Sequence, residues 1–290
     1  MSAASPSPAA TEPPFAGPVA ILGLGLIGGS LARDLSALGI TVWGFDRDAE
    51  AIADARRAGV IVREIDAQFR ALSDAETIVL AVPVDAALTL LDRVQPHCAA
   101  ATLITDVGST KRSIVQQATA VGLDRCFVGS HPLAGDHRAG WQASRRGLFA
   151  GARVDLCRTP RSTDDAVARA SALWSLVGAQ TAERDATMHD SEMAFVSHFP
   201  QLLALALAGT MSSHGIARNR LGSGGRDMTR MAASSSEMWE AIFEDNAVPV
   251  MDALDTCLAQ LGALRGAIAR GDRRAVGEAF RAGRKWVGED

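Results

Sequence analysis

Short apolar runs alternate with helix-compatible stretches over the first two thirds of the chain. "VAIL", from Val19, is followed by a glycine turn and then by the helical pattern of "GGSLARDL". "TVWGFDRD" reads as a second strand, with the helix "AEAIADARRAG" behind it. "ETIVLAVPVD" and "ATLITDVGS" are further apolar runs with helix-compatible sequence after each, and "RCFVGSHP" and "GARVDLCRTP" add two strand candidates. Runs that stay apolar without alternating belong to strands buried on both faces, so the pattern predicts a doubly wound parallel sheet with helices on each side. "DDAVARASALWSLVGAQ" predicts an amphipathic helix leading into a last strand near "AQTAERDA". From Met188 onward the period is helical, with few strand signals. These patterns divide the chain into an α/β domain over 18–186 and an all-helical domain over 187–290. The second suits both a dimer interface and a substrate wall. Residues 1–17, rich in Pro, Ala and Ser, read as a floppy tail.

One apolar stretch, "MAFVSHFPQLLALALAGTM" over 193–211, is long enough to be mistaken for a membrane span. Ser197, His198, Pro200 and Gln201 crowd one half of it, which hydrocarbon tolerates badly. A helix buried in a helical domain or a subunit interface is the better reading. A net charge of -4 supplies no general attraction to nucleic acid or to an acidic membrane. Cys98, Cys126, Cys157 and Cys257 form no C-x-x-C pair, which suits reduced thiols in a cytoplasm and argues against a metal site. The opening residues lack the basic and apolar segments of a secretory signal.

Gly23, Gly25 and Gly28 form G-x-G-x-x-G between a strand and a helix, the context in which this motif cradles a dinucleotide. The first glycine permits a tight turn and the second lets pyrophosphate approach the backbone. The third lets helix and strand pack closely, with the phosphates on the helix N-terminus. Asp46, at the end of the second strand, is placed to accept the ribose hydroxyls and to repel the extra phosphate of NADP; Arg47 beside it pulls the other way. The expected cofactor is NAD, with NADP less favoured. Leu26, Ile27, Val82, Pro83 and Ser109 complete the expected cofactor contacts.

Ligands of an open parallel sheet collect beyond the carboxyl ends of its strands. "AVPVD", "DVGSTK" and the glycine-punctuated "GSHPLAG" fall there, so Ser109 and His131 belong to two strand-end loops able to face one another across a nicotinamide. A neutral His131 would take a hydroxyl proton while hydride leaves the same carbon, and Ser109 would orient both. The bland alternatives are a loop-stabilising histidine and a serine N-cap. His189 and Asp190, at an expected helix start, read as caps.

"GLGLIGGS", "DVGSTK", "GSHPLAG", "SHFPQ" and "GGRDMTRMAASSSEMW" occur in the order seen in the prephenate and arogenate dehydrogenase family, which this chain resembles from about residue 18 to beyond 245. The resemblance implies a Rossmann domain followed by a helical dimerisation domain. It also implies a cytoplasmic homodimer that oxidises and decarboxylates a cyclohexadienyl substrate in tyrosine biosynthesis. His131 then corresponds to the proton-accepting histidine and Ser109 to the serine that bonds the substrate hydroxyl and that histidine. Arg230 corresponds to a carboxylate-pairing arginine and Trp239 to a pocket tryptophan; Ser197 and His198 lie in the family's substrate-side helix. Gln201 stands where the family often has His, and Asp136-His137 where it often has a small or hydroxyl residue followed by an acid. Asp136 would favour the ammonium of arogenate and a protonated His137 the dianion of prephenate. Two rivals remain. A β-hydroxyacid dehydrogenase relies on a lysine early in its helical domain, whereas this chain has none between Lys111 and Lys285. A dinucleotide-binding regulator without turnover would leave His131 idle.

Overall fold

A computed structural model describes residues 15–136 and 138–288. The expected tail lies mostly outside them, as does His137. Five strands form a parallel sheet in the order β3-β2-β1-β4-β5: β1 Val19–Leu22, β2 Val42–Phe45, β3 Arg63–Glu64, β4 Thr77–Leu80 and β5 Leu103–Asp106. The helices between them are α1 Leu26–Ala37, α2 Ala49–Arg57, α3 Val84–Val94 and α4 Arg112–Ala120. Along β1, Val19 and Ile21 join one apolar cluster with Leu31, Leu35 and Trp174, while Ala20 and Leu22 join another with Ile78, Leu90 and Phe127. Both faces are therefore buried, which is why the strand is apolar throughout instead of alternating.

A bridge from Ile104 to Phe127 sets β6, Val128–Pro132, parallel to β5. Beyond it the sheet departs from the expected parallel order. β7, Arg153–Arg158, pairs antiparallel to β6, and β8, Gln180–Glu183, pairs parallel to β7. Between β6 and β7 the described residues, 133–136 and 138–152, carry only a short 3₁₀ turn at Trp141–Ala143. A parallel return needs a crossover to the other end of the sheet, usually a helix; here the chain turns back antiparallel instead, whereas α5, Asp164–Leu176, supplies such a crossover between β7 and β8.

After β8 every described element is helical: α6 Ala186–Met193, α7 Phe199–Ser213, α8 Ser223–Met228, α9 Ser236–Asp245, α10 Ala247–Ala269 and α11 Arg273–Val287. Residues Ala194–His198 join α6 to α7 as a π turn. Pro200 follows it and has no N–H to donate back along the helix, a disruption that the wider turn absorbs. The run Ala186–Ser213 and α10 are each long and apolar enough to cross a membrane, yet only 28% and 11% of their apolar windows are buried within one chain. Phe195, Val196, Leu205, Val248, Met251, Leu258 and Leu261 stand exposed on them. Of the two readings the sequence left for this stretch, that much open apolar surface fits a subunit interface better than a helix core.

Candidate active site

The glycine turn has the shape its motif requires. Gly23 has φ +105°, and a Cβ there would lie 2.1 Å from the carbonyl oxygen of Ala81. A Cβ on Gly28 would lie 2.0 Å from the carbonyl oxygen of Gly23, so this residue sets the contact of α1 with the sheet. A Cβ on Gly25 would meet nothing within 4 Å. Space over Gly25 at the N-terminus of α1 is what a pyrophosphate needs, so these residues fit a dinucleotide. Asp46 does more than the sequence suggested: one carboxylate oxygen accepts from the Leu24 N–H at 2.6 Å and the other from the Asp48 N–H at 2.9 Å. It thereby fastens the glycine turn to the end of β2.

A cavity of about 1410 Å³ starts at Gly25, Leu26 and Ile27, passes Arg47, Val82, Pro83, Ser109 and His131, and ends against Ser197, Gln201, Arg230 and Trp239. Most single-ligand pockets hold roughly 300–1,000 Å³, so this one has room for a dinucleotide and a small substrate together. Gly23, Gly28 and Asp46 support its floor without lining it.

His131 is not in a loop. It lies within β6, buried at 9% exposure, because the apolar "CFV" run extends the strand through "GSHP" and β7 pairs along its whole length. Its Nδ1 is 2.9 Å from Nε2 of His189, with the two rings edge to face. His189 Nδ1 is in turn 2.8 Å from Asp190 Oδ1. The backbone N–H groups of Lys111 and Arg112 donate to the two oxygens of Asp190 at 2.8 and 2.9 Å. His189 and Asp190 are thus not caps; Asp185 caps α6. Burial alone would raise the Asp190 carboxyl, but the hydrogen bonds from His189, Arg112 and Lys111 outweigh it and hold the group below its ordinary value. Burial first, and then the neighbouring His189, Lys111, His198 and Arg153, push His131 well below the usual imidazole value. At neutral pH it is an uncharged base.

Ser109 is half-buried on the same wall, but it makes no hydrogen bond to His131 among the described residues; the Nδ1 of that ring is taken by His189. Behind Ser109, Lys111 Nζ pairs with Asp106, both fully buried, and Asp106 also accepts from the Gly108 and Ser130 N–H groups. This ion pair shapes the "DVGSTK" turn and ties it to β6. The sequence reading passed over it, although a lysine in so arginine-rich a chain was a visible signal.

On the helical side, Arg230 is exposed to the cavity and has no ion-pair partner among the described residues. Gln201 is buried and donates from Nε2 to the Met231 carbonyl at 2.9 Å, holding the turn that carries Arg230. The indole N–H of Trp239 is buried without an acceptor, though the residue lines the cavity. His198, expected to contact substrate, instead sits behind the wall: its ring packs edge-on against Trp239 and its Nδ1 lies 3.1 Å from Asn246 Nδ2. The π turn presents Ser197 to the cavity and so carries the next side chain away from it. Asp136 is paired with Arg138 at 2.7 Å and Arg145 at 3.1 Å, and its hydrogen bonds with Arg138 hold it far below the ordinary carboxylate range. It is already matched by cations and is not free for a substrate ammonium.

Burial lowers His198 from 6.5 to about 4. As pH falls, the unfolded chain takes up this proton before the folded one, so stability is full above about pH 6.5 and declines between 6.5 and 4. The loss from His198 alone is about 3 kcal/mol at pH 4. Denaturant titrations at pH 7 and 4.5 should resolve it, with a smaller pH effect in His198→Asn. An equal effect in both proteins would assign the acid lability to His131 or another group.

Comparison with known proteins gives a consistent result. Residues 31–183 match the family model described as prephenate dehydrogenase, nucleotide-binding domain, and residues 185–282 match prephenate dehydrogenase, dimerization domain. A prephenate dehydrogenase of Bacillus subtilis is 31% identical over 85% of this chain and 69% of its own length. A cyclohexadienyl dehydrogenase of Zymomonas mobilis is 32% identical over 92% of this chain and 94% of its own. The crystal structure of Aquifex aeolicus prephenate dehydrogenase, in complex with hydroxyphenyl propionate and NAD+, superposes with a TM-score of 0.87 at 27% identity, covering 95% of this chain and 99% of that one.

Proposed function

This chain belongs to the prephenate dehydrogenase family, and from that premise we propose that it oxidises and decarboxylates prephenate to 4-hydroxyphenylpyruvate, a step of tyrosine biosynthesis. It is an NAD-dependent oxidoreductase of that family. The observation that carries the reading is a buried, uncharged His131 on the wall of a cavity that runs from a dinucleotide turn to an arginine with no ion pair among the described residues. In the division of labour we propose, residues 18–186 hold the cofactor and residues 187–290 supply the substrate wall and the contact of a cytoplasmic homodimer. The exposed apolar faces of the run Ala186–Ser213 and of α10 support that contact.

NAD, when bound, supplies the hydride acceptor. His131 takes the proton of the ring hydroxyl as the same carbon loses hydride, leaving a ring carbonyl. The bond to the ring carboxylate then breaks, carbon dioxide leaves, and its electron pair completes the aromatic ring. The phenol oxygen recovers the proton from His131, so the base returns uncharged without net proton release. Ser109 orients the hydroxyl, and Arg230 pairs with a substrate carboxylate. Arg138 and Asp136 pair with each other on the cavity wall, which leaves Arg47, Arg218 and Arg230 against Glu237, none with an ion pair among the described residues. That balance favours the dianion prephenate. Glu237, which has no ion pair among the described residues, is the observation on the side of arogenate.

The test is purified protein with NAD and either prephenate or arogenate, followed by the absorbance of reduced cofactor. Turnover with prephenate at the higher rate is expected. Silence with both, from protein that is folded and binds NAD, would overturn the reading. Protonation removes the base, so kcat/KM should fall on the acid side, with its inflection below pH 6.5. What sets it is burial first, and then the facing groups His189 on α6, Lys111 before α4, His198 in the π turn and Arg153 on β7, with the Asp190 carboxylate behind His189. An inflection above 6.5 would mean that another group titrates.

A further inference from the structure

His131 faces the cavity with one edge and a buried pair with the other. His189 and Asp190 are 1% and 3% exposed, and neither reaches the cavity surface. With both rings uncharged, their hydrogen bonds dictate where the protons lie. Asp190 accepts from two backbone N–H groups, so its oxygens act as acceptors and the carboxylate is ionised. His189 Nδ1, 2.8 Å from Asp190 Oδ1, must therefore donate. In a neutral imidazole that leaves Nε2 of His189 with only a lone pair, and its partner at 2.9 Å, His131 Nδ1, must carry a hydrogen. His131 Nε2, which has no hydrogen bond among the described residues, is then the bare nitrogen on the cavity side.

We propose that His189 and Asp190 are positioning residues that hold His131 as its Nδ1–H tautomer, with the Nε2 lone pair directed into the cavity. The chain His131-His189-Asp190 crosses from β6 to α6, and Asp190 is anchored in turn on the backbone that opens α4. The tautomer of the base is thus set by the packing of the helical segment against the sheet. When His131 gains the substrate proton on Nε2 its charge is shared along the same chain, toward the Asp190 carboxylate. A second partner that orients a base is a recurrent means of making it effective in one direction only. The role rests on the reading of His131 as the base; the tautomer does not.

Histidine-labelled protein without cofactor, studied by long-range ¹H–¹⁵N correlation at pH 7, reads the tautomer directly. His131 and His189 should both be neutral with Nδ1 protonated. A His131 protonated on Nε2, or a doubly protonated His189, which would reverse the donor order, overturns the proposal in the native protein without any variant. In the kinetic arm, His189→Leu removes the acceptor and should lower kcat about 10²-fold while the NAD KM is unchanged. His189→Gln keeps an oxygen to accept from His131 and an amide N–H to offer Asp190, and should recover most of that loss. Equal kcat in the Leu and Gln variants would make His189 a packing residue only. If wild-type protein turns over neither substrate yet shows the assigned tautomers, the function fails and the hydrogen-bond chain stands.

Discussion

Replacing His131 by asparagine is expected to lower kcat by about 10³-fold, within the range that a positioned general base supplies, and to leave the affinity for NAD unchanged. Asparagine keeps a side-chain donor for His189 but has no group that takes up a proton near neutral pH. The histidine lines the middle of the cavity, away from the glycine turn, so cofactor binding has no reason to change. Steady-state rates with prephenate, together with calorimetric titration of NAD, separate the two quantities. A rate within tenfold of wild type would mean that His131 only braces β6 against α6, and the reading as an enzyme would lose its base.

The second large effect lies in the contrast between two glycines of one motif. Gly25 has extended backbone, φ −69° and ψ −157°, and a Cβ there meets nothing within 4 Å. Gly25→Ala should therefore fold as stably as wild type while its methyl group occupies the approach of the pyrophosphate. NAD affinity should drop about 10²-fold, equivalent to about 2.7 kcal/mol. Gly28→Ala acts on the fold itself. Its methyl carbon would lie 2.0 Å from the Gly23 carbonyl oxygen and 2.7 Å from the Ala81 side chain, so α1 must move away from the sheet. Overpacking of this kind costs about 3 kcal/mol, and thermal melting should report it even without ligand. Unchanged NAD binding in Gly25→Ala would put the cofactor somewhere other than over this turn.

Much of the architecture was legible along the chain. Unbroken apolar runs such as "VAIL" and "TIVL" marked β1 and β4 because both faces of those strands are buried. The glycine spacing was informative because its constraints are local: a turn, a close approach and a helix start all fall within six residues. The change to helical period marked the second half for the same reason. Candidate residues identified by motif, among them Ser109, His131, Ser197, Gln201, Arg230 and Trp239, do meet on one cavity.

The features that sequence reading missed are those that depend on residues far apart in the chain. The reversal of β7 depended on the absence of a helix among the described residues of 133–152, where the sequence offered two strand candidates but no direction for the second. His131 looked like a loop residue because its glycines resemble a turn; pairing with β7 makes it a strand residue. Asp136 was a free charge on paper and is neutralised by two arginines in space. His189 and Asp190 resembled ordinary helix-start residues, since nothing near them in sequence reveals partners 58 and 79 residues away. Sequence by itself determined what short-range periodicity and backbone geometry encode: the elements, the dinucleotide turn and the residue types of a dehydrogenase. Only the packing of α6 against β6 and the start of α4, and of the π turn against α9 and α10, decided which nitrogen of His131 is bound and which histidine lies behind the wall, because those contacts are made between surfaces that no local pattern aligns.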